Sequence, residues 1–135
     1  MKLCYLVIGF LLVGSQAWGY SDKELAYCVI GEATGEGLVG MTAVTFVYKN
    51  RLASGMKLGC EAITRPDIKQ FVKREGKKRM EQALDIIAKV NANAIPDITF
   101  GANHYLRSDM KKKPRWVDSM TVTTVIGNHT FYKGK

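Results

Sequence analysis

Apolar positions recur at helical spacing on both sides of a glycine-rich stretch at 31–40. Leu25, Cys28 and Val29 precede it. Leu38, Met41, Thr45, Tyr48 and Leu52 follow at steps of three and four. The pattern predicts a helix that ends near Gly31, a glycine-rich elbow, and a second helix over 38–53 stopped by Ser54-Gly55. Ser21 with Glu24 three residues later has the form of a capping box, so the first helix opens there. A third helix is predicted over 78–91, where Met80, Leu84 and Ile87 share a face. Ahead of it, Arg65-Pro66 closes a loop, because the residue before proline is driven away from helical backbone. Residues 98–105 read as extended with a bend at Gly101. Two β-rich runs, 120–126 and 129–133, flank Gly127-Asn128, a two-residue turn of the hairpin kind. The expected class is α+β: a small, mainly helical domain with a C-terminal antiparallel β-hairpin, and no repeat or second domain.

The start of the chain follows a different pattern. Lys2 precedes an apolar run over 3–13 and then small residues at Ser15, Ala17 and Gly19. A charged start, a short apolar region and a small-residue site make residues 1–19 a signal peptide, or a signal-anchor if uncleaved. The run falls short of the ~20 apolar residues a membrane span needs. Residues 20–135 are then the working domain, and the protein is expected to be exported. Removal of the leader takes away Cys4 and leaves Cys28 and Cys60. The pair suits a disulfide in an exported domain, or else two buried thiols. The formal charge of +8 over 135 residues fits an anionic envelope as partner, whereas the export signal argues against nucleic acid.

Chemistry concentrates in the elbow. Glu32 and Glu36 are four residues apart, and a carboxylic acid buried among apolar groups at a helix end suits general-acid work on an acetal. His104 and His129, the two histidines, stand beside aromatic residues. No pair of ligands has zinc-type spacing, so neither metal nor cofactor is expected. Trp116, Tyr105, Phe71 and Tyr132 can stack on sugar rings or fill a core.

The run Gly31-Glu32-Ala33-Thr34-Gly35-Glu36-Gly37, with Gly40, Ala43-Val44 and Asn50-Arg51, resembles the signature of the spore-cortex-lytic-type cell wall hydrolases. Gln70-Phe71, then 101–105 (GANHY), then 126–132 (IGNHTFY) agree with that family in order, and Pro114-Arg115-Trp116 falls where it carries P-x-W. Thr34 stands where the family has arginine, and Val72 where it often has a small polar residue. The resemblance implies a lysozyme-like domain that cleaves peptidoglycan glycan strands after N-acetylmuramic acid, as a muramidase or lytic transglycosylase. It implies Glu32 as the catalytic acid, with Glu36, Gln70, Phe71, His104, Tyr105, Trp116 and His129 supporting it or holding substrate. The chain is expected to act as a monomer. Two rivals remain at this level: a metal-dependent amidase using both histidines and a glutamate, and a non-catalytic cationic wall-binding protein.

Overall fold

The computed structural model describes residues 19–134; the expected signal segment lies, but for Gly19, outside them. Helix α1 spans Asp22–Ala33 and begins with the capping box, since Ser21 Oγ accepts from the Glu24 N–H while Glu24 Oε1 accepts from the Ser21 N–H. A 3-10 turn, Thr34–Glu36, leads into helix α2, Gly37–Ala53. Another 3-10 turn, Glu61–Ile63, precedes helix α3, Pro66–Asn91. Three short strands follow, β1 His104–Arg107, β2 Met120–Ile126 and β3 His129–Gly134, with a 3-10 turn at Arg115–Ser119 before β2.

The chain departs from expectation in three places. Helix α1 does not stop at Gly31 but runs two residues further, which puts Glu32 in its last turn. Gly31 serves close packing there: a Cβ on it would lie 2.9 Å from Ile68 Cγ2 and 3.3 Å from Ala62 Cβ. Helix α3 begins twelve residues earlier than periodicity suggested, with Pro66 at its first turn, where a missing N–H costs nothing. It is two arms joined at Gly76, whose φ is 86°. The first arm carries Gln70 and Phe71, which are therefore helical. Finally, extended structure is confined to β1, because a turn at 97–101 occupies the segment before it.

Helices α1, α2 and α3 enclose the main core, which includes Leu25, Val29, Met41, Tyr48 and Ile87. A Cys28–Cys60 disulfide, with Cα atoms 5.6 Å apart, staples α1 to the loop ahead of α3. The sheet has the order β1-β3-β2, all antiparallel, so the expected hairpin gains a third strand. The sheet seats on α2 through a second, smaller core of Ala43, Val47, Ala102 and Phe131. A bulge between Val122 and Thr124 leaves Thr123 out of the pairing, with its hydroxyl buried and unpartnered. Among the described residues no helix is long and apolar enough to cross a membrane.

Candidate active site

The two glutamates come from neighbouring helical turns, and the sheet supplies their partners. Glu32 lies in the last turn of α1, and its Oε2 accepts a 2.8 Å hydrogen bond from the Tyr105 hydroxyl on β1. The apolar burial expected around this acid is absent, for Glu32 is exposed. Its carboxylate therefore faces outward, held at one oxygen. Tyr105 is packed between that carboxylate, the His129 ring in edge contact at 5.4 Å, and the Phe131 ring at 5.7 Å. Burial, then the neighbouring Tyr48 and Glu32, drives the Tyr105 hydroxyl far above the ordinary tyrosine pKa. It stays a neutral donor throughout the working range.

Glu36 ends the 3-10 turn and leans on the hairpin. Its Oε1 lies 3.6 Å from His129 Nδ1 and accepts a 3.4 Å contact from Asn128 Nδ2. Both side chains of the Glu36–His129 pair are largely enclosed, at 19% and 17% exposure. The hairpin turn makes this approach possible. Gly127 has φ 56°, and a Cβ on it would stand 2.7 Å from Glu36 Oε2. Glu32, Tyr105, His129 and Glu36 thus form one connected row.

His104 and Trp116 do not join that row. Strand side chains alternate in direction, and β1 pairs Tyr105 with Phe131 but His104 with Tyr132. His104 and Tyr132 consequently face away from Tyr105 and His129. Trp116 covers them there, 4.7 Å from the His104 ring and 5.4 Å from the Tyr132 ring. Burial and the Arg51 charge hold His104 below its ordinary pKa, and Asn103 Oδ1 sits 2.8 Å from its Nδ1. Gln70 and Phe71 stand exposed on the first arm of α3, whose Ile68 and Val72 press onto Gly31 beside Glu32. No hydrogen bond or ring contact among the described residues ties them to the row.

Three residues that matter here were read only as pattern. Asn50 Nδ2 donates to Asp97 Oδ2 and to the Ala102 carbonyl, both at 2.9 Å. Arg51 donates to the carbonyls of Asn103 and Leu58. The end of α2 thereby fixes the backbone that enters β1 and so aims Tyr105. Tyr48 is buried with its hydroxyl unpartnered, and burial, reinforced by the Glu32 charge, raises its pKa strongly. Its place in an apolar helical stripe disguised it as ordinary core.

A family model described as Cell Wall Hydrolase matches residues 35–132, a segment that holds Glu36, Tyr105 and His129 and begins three residues after Glu32. Two solved structures share the fold. The catalytic domain of the germination-specific lytic transglycosylase SleB from Bacillus anthracis is 24% identical, with a TM-score of 0.57 over 85% of this chain and 98% of that one. The catalytic domain of the Bacillus cereus SleB protein is likewise 24% identical, with a TM-score of 0.55 over 83% and 88%. No curated protein sequence matches the chain. The matched segment takes in most of the sequence and carries the strands that complete the row of acids and their partners, and on that ground the chain belongs to the cell wall hydrolase family.

Proposed function

We propose that the protein is an exported glycosidase that cuts peptidoglycan glycan strands after N-acetylmuramic acid, with Glu32 as its one general acid and base. The observation that carries the reading is the Glu32–Tyr105 hydrogen bond: an outward-facing carboxyl held at a single oxygen, on a fold shared with SleB catalytic domains. Oε2 is engaged by Tyr105, which leaves Oε1 for the substrate. Glu32 gives its proton to the bridging oxygen as the C1–O4 bond breaks. The carboxylate so formed then takes a proton from whichever hydroxyl attacks C1. Water yields a reducing end, and the muramic C6 hydroxyl yields the anhydro sugar. Tyr105 stabilises the carboxylate between the two steps.

Glu36 and His129, enclosed and paired, orient the strand, and Gln70 and Phe71 extend the contact surface along α3. Residues 20–135 form the mature catalytic domain, and the excess of positive charge holds it to the anionic wall. The metal-amidase alternative needed His104 and His129 at one ion, and they project from opposite faces of the sheet.

Purified peptidoglycan digested with the mature chain and with Glu32→Gln, followed by mass identification of the fragments, tests the proposal. Saccharide fragments are expected from the wild type and not from the variant, and a muramic end lighter by one water would identify the transglycosylase route. Free stem peptides would mean an amidase. No fragment from either protein would favour the binding-only reading.

A further inference from the structure

Tyr48 stands on α2 within the main core and is 1% exposed. Its hydroxyl is buried and bonds to nothing among the described residues. A buried hydroxyl without a partner costs folding free energy that phenylalanine in the same space would not, so its presence calls for a reason. Arg51 lies 5.8 Å from the centre of the ring, but its guanidinium is engaged with the carbonyls of Asn103 and Leu58. Two further polar groups stand near, Tyr105 and Glu32. Tyr105 packs against the core cluster that holds Tyr48. The negative charge of Glu32 is felt at both hydroxyls, and Tyr48 in turn acts on Tyr105. Two hydroxyls and one carboxylate thus share the space between the end of α1, the buried side of α2 and β1.

Their hydrogen-bonding capacities are complementary. Tyr105 gives its proton to Glu32 Oε2, and no side chain among the described residues donates to the Tyr105 oxygen. Tyr48 is a donor without an acceptor, and the Tyr105 oxygen is an acceptor without a donor. We infer that Tyr48 is a positioning residue for the acid: its hydroxyl donates to the Tyr105 oxygen and so holds the Tyr105 proton on Glu32, an inference that rests on the proposed role of Glu32. The two hydroxyls stop short of bonding distance in the free protein. Tyr105 closes the gap, since it stands on an edge strand of the sheet, whereas Tyr48 is locked in the core. Hydrogen bonds in a chain polarise one another, so a donor behind Tyr105 strengthens the bond in front of it. That bond favours the carboxylate which Glu32 becomes once its proton has passed to the bridging oxygen. Tyr48 itself is too deeply buried to meet the sugar, so its effect falls on kcat rather than KM.

The test is Tyr48→Phe, which removes one oxygen and keeps the ring. In peptidoglycan cleavage the variant is expected to lose about threefold to fivefold in kcat with KM unchanged. Its urea midpoint should match or exceed that of wild type, because an unpaired buried hydroxyl has gone. The double variant Tyr48→Phe, Tyr105→Phe should be no slower than Tyr105→Phe alone, since Tyr48 acts through Tyr105. Losses that multiply would overturn the inference in favour of a direct action of Tyr48 elsewhere. An unchanged kcat, or a lower midpoint with kcat and KM both altered, would leave Tyr48 as core and nothing more. A second measurement needs no activity: tyrosine labelled with carbon-13 at Cζ, followed by NMR. Tyr48→Phe should displace the Tyr105 signal, and Tyr105→Phe the Tyr48 signal, with those of Tyr20 and Tyr27 unmoved. Signals that ignore each other would overturn the inference. If wild type cleaves nothing, the proposed function fails, and the labelled signals still decide whether the two hydroxyls are bonded.

Discussion

Glu32 and Glu36 are the same residue one turn apart in sequence, yet they are held in opposite ways. Glu32 is exposed and fixed by a single short bond from the Tyr105 hydroxyl. Glu36 is enclosed, and the hairpin's Asn128 and His129 both reach its Oε1, at longer range. An acid that must meet a substrate needs one free oxygen and an open side. An acid that shapes a surface needs neighbours. On the proposed function the difference gives them separate tasks, and it can be broken experimentally.

The largest effect should come from the acids themselves. Glu32→Gln is expected to lower kcat by about 10³-fold or more, whereas Glu36→Gln should cost about tenfold, seen chiefly in KM. A reversed order in steady-state cleavage of peptidoglycan would exchange their roles. Next comes the support beneath Glu32. Cys28 lies one helical turn before it, and replacing Cys28 and Cys60 together by serine should lower unfolding free energy by ~2–4 kcal/mol in urea titration. The bond does not touch α2, so Glu36 and His129 should keep their contacts in what remains folded.

Asp97 comes third. Partial burial opposes its ionisation, but bonds from Thr99 Oγ1, Asn50 Nδ2 and the Thr99 and Gly101 N–H groups outweigh it and hold its pKa below the ordinary value. A lowered folded-state pKa gives stability that is complete above the unfolded value of about 4 and disappears as pH falls through the lower one. Asp97→Ala should cost ~1–3 kcal/mol at neutral pH and flatten the acid limb of the stability curve. An unchanged acid limb would mean that the 97–101 turn is held by other contacts. Tyr105→Phe should then lower kcat about tenfold with the fold intact, a loss confined to Glu32's side of the pair. The smallest change is Gly127→Ala, which crowds Glu36 Oε2 and should raise KM about twofold to threefold without altering kcat.

Much of this arrangement was readable in the residues. The hairpin and α2 carry their own local instructions: alternating β-branched residues around Gly127-Asn128, and an apolar stripe at helical spacing. The capping box at Ser21 likewise acts within one turn. Other features depend on distant neighbours. Gly31 looks like a helix stop, and only the approach of Ile68 reveals that it makes room. The first arm of α3 buries Val72 alone, with Ile68 partly covered, among exposed Lys69, Gln70, Lys73 and Arg74, too few apolar positions to show a period. His104 and Trp116 fell among the site candidates because the resemblance gave order along the chain, whereas their direction depends on the parity of β1 against β3.

The bond between Glu32 and Tyr105 joins residues 73 positions apart, and the contact between Glu36 and Asn128 joins residues 92 apart. Both acids belong to the early helices, while the last of their partners arrives with β3, within the final few residues of the chain. A nascent chain still on the ribosome can fold its helices and present both carboxylates, yet it has no His129 beside Glu36 and no β3 to hold Tyr105 against Glu32. The contacts that organise both carboxylates therefore form only once β3 has been made.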